Sequence, residues 1–164
     1  MNEHNTLILL NKLSEKINNL YGFVKIAGEN FGEPAINSGP CGPFANAFYT
    51  IWNQKFTERV NIAFIMVKNS DECWHVLIRL PNGLLFDGGI GVHPDDRWDK
   101  NKFDIVDMFQ YDLQLLEKHS GGLNRKYPRY CPNFSIGEVT DLITNYINLI
   151  EERKNSPGHI NFTK

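Results

Sequence analysis

WHVLIRLPNGLLFDGG, residues 74–89, is the stretch on which the fold turns. Two apolar runs flank Pro81-Asn82-Gly83, a pattern that reads as two strands joined by a tight turn. Side chains alternate between the faces of a strand, so Trp74, Val76, Ile78 and Leu80 share one apolar face that is expected to pack on a core. His75 then points the other way, with Cys73, Leu77 and Arg79.

The turn decides which residues of the second strand join that face. A two-residue turn at Asn82-Gly83 pairs Pro81 with Leu84 and sets Asp87 opposite Ile78, on the wrong face for His75. Pro-Asn-Gly suits a three-residue loop instead, with Pro81 and Asn82 in a type I turn and Gly83 left-handed in a G1 bulge. Asp87 then lies opposite Leu77, a diagonal neighbour of His75 within side-chain reach. The three-residue loop is the expectation, and Asp87 belongs with His75 only if that loop forms.

Upstream, residues 27–41 are dense in Gly, Pro, Asn and Ser and read as an irregular loop that delivers Cys41 to a helix. Pro43, favourable at a first helical position, opens that helix, and Phe44, Phe48, Ile51, Trp52 and Phe56 mark its buried stripe. Unpaired N–H groups at a helix N-terminus favour a thiolate, which makes Cys41 the candidate nucleophile. Gly42 leaves room for a substrate carbonyl. His75, held on a strand, is the candidate base, and Asp87 would accept from one ring nitrogen and leave the other for the thiol.

The rest of the chain supplies packing. Leu9, Leu10, Leu13, Ile17 and Leu20 form one face of a helix over residues 5–20, ended by Tyr21-Gly22 and expected to serve packing only. Val60 to Val67 reads as a strand, residues 88–102 as loop, and Ile105, Phe109, Leu113 and Leu116 as a helix stopping at Gly121-Gly122. Ser135 with Glu138 is a capping box for a last helix faced by Ile136, Val139, Ile143, Tyr146, Ile147 and Ile150. The reading is a single α+β domain over residues 1–153, a buried Cys-bearing helix on a small antiparallel sheet with further C-terminal helices, and a mobile tail from Lys154.

Composition narrows the function classes. A chain of 164 residues, 41% apolar and 12% aromatic, has the composition of a folded domain. Its net charge of −2 provides no global attraction to nucleic acid or anionic lipid. The apolar runs Leu7–Leu10 and Ile62–Val67 are too short to span a bilayer, and the N-terminal stretch lacks a basic region and cleavage site, so the expected location is the cytoplasm. Cys41, Cys73 and Cys131 are an odd set without a Cys-x-x-Cys pair, which argues against a disulfide framework and against a zinc knuckle.

The segments GPCGPFANAF, residues 39–48, and WHVLIRLPNGLLFDGG resemble, in the order Cys, His, Asp, the papain-like cysteine peptidase superfamily. HVLIRLPNGLLFD resembles the His-bearing hairpin of NlpC-type cell-wall peptidases, while the interval from Cys41 to His75 is closer to transglutaminase-like and arylamine N-acetyltransferase-like members. The resemblance covers residues 37–92. It implies a papain-like fold, attack by Cys41 on an acyl carbon of a peptide or protein substrate, and a covalent thioester, with no cofactor and no metal. It further implies an amide donor to the oxyanion shortly before the cysteine, a place held here by Asn37. Trp74 and Trp98 are the candidate substrate platforms.

Other readings stand beside it. Cys73 and His75 on one face, completed by Asp87 or Cys41, would suit a metal. Arg125, Lys126, Tyr127, Arg129 and Tyr130 mix cations and aromatics as an anion-binding loop would. An acyltransferase or deamidase keeps the chemistry and changes the acceptor, and an inhibitor or immunity-type binding protein would keep the fold without the chemistry.

Overall fold

The computed structural model describes residues 3–25, 32–107 and 131–156. Among them the architecture is α+β: α1 Glu3–Tyr21 and α2 Cys41–Lys55 pack on a five-stranded antiparallel sheet, and α3 Ile136–Asn155 packs on α1 and α2. The strands are β3 Asn61–Val67, β4 Cys73–Arg79, β5 Leu85–Asp87, β6 Gly91–His93 and β7 Phe103–Asp107, in the order β6-β5-β4-β3-β7. A separate hairpin joins β1 Phe23–Lys25 to β2 Gly32–Pro34. No helix among the described residues is long and apolar enough to cross a membrane.

The helices form because their apolar residues recur every three or four positions. Leu9, Leu10, Leu13 and Ile17 of α1 are buried, as are Phe44, Phe48 and Trp52 of α2 and Val139, Ile143, Ile147 and Ile150 of α3. Burying one such side chain contributes about 1.5–3 kcal/mol. Leu20 and Ile136, expected on these faces, are exposed at the helix ends. α1 stops at Gly22, which takes the left-handed conformation (φ 73°) and donates its N–H to the Asn18 carbonyl at 2.8 Å. α3 starts at Ser135, whose hydroxyl accepts from the Glu138 N–H at 3.3 Å.

α2 is the central helix. Phe48 lies 4.9 Å from Phe86 and 5.6 Å from Trp52 between ring centroids, so the aromatic stripe is packed directly on the sheet. Ile62, Phe64, Val76, Ile78 and Phe86 present the sheet face that meets the helices. The opposite face carries Ala63, Ile65, Leu77 and Leu85, covered by Trp98, Phe103 and Ile105.

The hairpin takes the three-residue loop. Ile78 pairs with Phe86 and Arg79 with Leu85, the Leu80 N–H bonds the Leu84 carbonyl at 2.8 Å, and Gly83 is left-handed at φ 88°. Asp87 therefore joins the His75 face.

Several expectations are corrected. α2 begins at Cys41, two residues before Pro43, because the first four N–H groups of a helix need no intrahelical partner and Pro43 is accommodated within that turn. The register of β3 against β4 shifts between Ile65, paired with His75, and Met66, paired with Cys73, so Trp74 is the extra residue of a β-bulge. Trp74 is consequently 56% exposed rather than core, and Cys73 moves across to the helix-facing core, away from the His75 face. Segment 88–102 contains β6, and segment 27–41 contains β2 and a 3-10 turn at Ala35–Asn37. Ile105 lies in β7 rather than in a helix, while Phe109, Leu113 and Leu116 and the basic segment 125–130 lie outside the described residues. α3 runs on to Asn155, and Lys154 is held over the rings of Phe56 and Trp52, 3.9 and 5.4 Å from their centroids. The tail beyond residue 156 is outside the described residues.

The left-handed Gly83 has open space where a Cβ would stand, so backbone conformation alone limits substitution there. Gly83→Val should cost about 1–2 kcal/mol, read as a lower denaturant midpoint, and Gly83→Asn should recover most of it.

Candidate active site

Cys41 stands at the first residue of α2. The first intrahelical bond runs from the Phe44 N–H to the Pro40 carbonyl at 3.0 Å, and no side chain caps the helix. The N–H groups of Cys41 and Gly42 thus have no partner within the helix, and the helix dipole favours negative charge there.

His75 and Asp87 meet as the hairpin register requires. His75 Nε2 lies 2.9 Å from Asp87 Oδ2, with the two residues 4% and 1% exposed. That contact occupies Nε2, and the same imidazole lies close enough to the Cys41 thiol to lower its pKa. The structure therefore brings Cys41, His75 and Asp87 together.

The second carboxylate oxygen is fully engaged. Asp87 Oδ1 accepts from the backbone N–H of Ile90 at 2.6 Å, of Gly89 at 2.9 Å, and from Asn37 Nδ2 at 3.1 Å. Asn37, expected to face an oxyanion, is thus turned toward Asp87: a buried carboxylate is the stronger acceptor, and the 3-10 turn places the amide beside it. The Gly88-Gly89 turn leaves no room for side chains. A Cβ on Gly89 would stand 2.4 Å from Pro34 Cβ and 2.6 Å from Asn37 Nδ2.

Helix α1 contributes what the sequence reading missed. Ser14 Oγ donates to the Asp87 carbonyl at 2.9 Å, Asn18 Nδ2 donates to the Gly89 carbonyl at 2.8 Å, and Asn11 Oδ1 accepts from the Val92 N–H at 2.8 Å. Residues 11, 14 and 18 recur at helical spacing, and this polar stripe beside the apolar Leu10, Leu13 and Ile17 was the available signal. α1 is more than packing: it holds the backbone of the loop that carries Asp87.

A cleft of about 620 Å³ opens beside this constellation. It is lined by residues 32–34 and 37–39 and by Trp74, His75, Ile90, Arg97 and Trp98. Both candidate platform tryptophans therefore line it. Trp98 is set by a second histidine: its Nε1–H donates to His93 Nε2 at 3.2 Å, while His93 Nδ1 donates to the Gly91 carbonyl at 2.9 Å. Those two bonds require the neutral Nδ1–H tautomer, and burial holds the His93 pKa below the ordinary histidine value. The Trp98 ring lies 5.7 Å from that of His75. Arg79 fixes the loop from behind, bonding the Asp95 carboxylate, the Gly83 carbonyl and both oxygens of Asp107.

Electrostatics separate the three thiols. Burial works against ionisation of Cys41, but the hydrogen bond and charge of His75, helped by the Val76 backbone, outweigh it and lower the pKa. Burial, then the neighbouring Cys41, push Cys73 up to about 12, and burial raises Cys131. For His75 burial is overcome by Asp87 and Cys41, which raise it to about 10. For Asp87 burial is overcome by His75, Ile90 and Asn37, which bring it down to about 2. Cys73 no longer shares a face with His75, and no group of three His, Cys, Asp or Glu among the described residues is arranged as metal ligands.

Two expected outcomes follow from this geometry. The Asp87 contribution to stability is present above the ordinary carboxylate pKa of ~3.9 and is lost as pH falls through about 2; that of His75 is present below ~6.5 and is lost as pH rises through about 10. The stability gap between wild type and Asp87→Asn, about 3 kcal/mol by denaturant titration, should be widest between about pH 4 and 6.5. Gly89→Ala should cost about 1–3 kcal/mol, and the same titration measures it. Comparison of the chain with family models, with curated proteins and with solved structures gave no match.

Proposed function

We propose that this chain is a thiol-dependent hydrolase of papain-like design that cleaves an amide, peptide or isopeptide bond through Cys41, His75 and Asp87. The observation that carries the reading is the buried 2.9 Å contact of His75 Nε2 with Asp87 Oδ2, on an imidazole whose charge acts on a thiol at a helix start. A structural histidine needs neither a desolvated carboxylate nor a thiol beside it.

The Cys41 thiolate attacks the acyl carbon, a carbon–sulfur bond forms, and the carbonyl π electrons move to oxygen. The developing oxyanion is met by the N–H of Cys41, left without a helical partner. His75 imidazolium protonates the departing amine as the carbon–nitrogen bond breaks, and a thioester remains. Neutral His75 then takes a proton from water, which attacks the thioester and releases the acid and the Cys41 thiolate. Asp87 keeps the ring oriented and favours its cationic form throughout. An amine in place of water turns the same sequence into acyl transfer.

The test uses p-nitrophenyl acetate and intact protein. One equivalent of p-nitrophenolate should be released in a burst, with the acetyl group found by mass spectrometry on Cys41 and not on Cys73. His75→Ala should slow that burst at pH 7 by roughly 10²-fold or more, and Cys41→Ala should abolish it. Equal rates for wild type and His75→Ala would sink the proposal.

A further inference from the structure

Two opposite charges, Glu33 and Arg97, line the cleft together with His75, Trp74 and Trp98. No ion pair among the described residues joins them to each other or to a third charge. On the 3-10 turn of Arg97, Asp95 is bound by Arg79, and Asp96 is exposed and in no ion pair among the described residues. Arg97 is exposed, and its charge is felt at the neighbouring His93.

A free guanidinium at the edge of a cleft is a fork-shaped donor suited to a planar anion, above all a carboxylate. Glu33, elsewhere in the lining, repels that anion and gives the cleft a polarity. The exposed face of Trp74 and the partly buried ring of Trp98 supply apolar surface beside it.

We infer that the acyl donor bears a carboxylate which Arg97 receives at the cleft edge, so that Arg97 is a specificity-determining residue for the reaction at Cys41. This rests on the activated-thiol reading above. The substrate class is an anionic acyl compound, oriented with its carboxylate away from Glu33 and its apolar part along the tryptophans.

Two chloroacetyl probes of equal length test this. N-chloroacetylglycine carries a carboxylate and N-chloroacetylglycinamide does not. Each alkylates a thiolate by forming a carbon–sulfur bond as chloride leaves with the carbon–chlorine electron pair. The readout is the ratio of the Cys41 alkylation rates, anionic over neutral, at low salt.

Arg97→Gln should lower that ratio roughly tenfold from the wild-type value, the scale of one charge-assisted hydrogen bond. Arg97→Lys should fall between the two, and Glu33→Gln should not lower the ratio. An unchanged ratio in Arg97→Gln, or equal slowing of both probes, overturns the assignment. A neutral probe that alkylates Cys41 no faster in wild type than in His75→Ala would instead show the activated-thiol reading to be wrong, which keeps the two failures apart.

Discussion

The carboxylate of Asp87 is the constraint around which the other parts are arranged. A charged group at 1% exposure is costly unless its oxygens are all paired. Here the donors come from three places: the imidazole of β4, the amide of Asn37 in the 3-10 turn, and the N–H groups of Gly89 and Ile90 just past β5. Satisfying one buried charge therefore fixes the relative positions of segments far apart in the chain. The glycine pair follows from the same requirement, since a side chain on Gly89 would meet Pro34 and Asn37.

From that carboxylate the charge pattern propagates outward. Asp87 raises the affinity of His75 for a proton, and the resulting cation lowers that of Cys41, each step working against burial. The bulge at Trp74 has its part in this ordering. By moving Cys73 into the core it separates a second thiol from the imidazole, and by leaving Trp74 exposed it gives the cleft an aromatic border.

Much of this was legible in residues 74–89, because strand alternation and turn chemistry are local rules. Pro81-Asn82-Gly83 selects the loop, the loop selects the register, and the register puts Asp87 on the face of His75. The long helices were legible for the same reason, through Leu10, Leu13 and Ile17 or Val139, Ile143 and Ile147 at helical spacing. What escaped depends on contacts distant in sequence. Nothing near Asn37 announces that its partner is Asp87, and nothing near Trp74 announces a bulge, which lies in the pairing of β4 with β3, a strand outside the hairpin. The strands β6 and β7 are short or studded with charge, so alternation is weak in them; Ile105 and Val106 read equally well as part of a helix face.

The polar stripe of α1 has a consequence for how this protein would lose function. Asn11, Ser14 and Asn18 hold the segment 87–92 from a helix that contributes no strand and no candidate catalytic side chain. Local opening in proteins proceeds by cooperative units whose free energies lie below that of global unfolding. Loss of these three contacts would release the backbone behind Asp87 without breaking any bond between β3 and β4. The fold thus separates two kinds of robustness, that of the sheet and that of the alignment of Cys41, His75 and Asp87, with a single amphipathic helix as the joint between them.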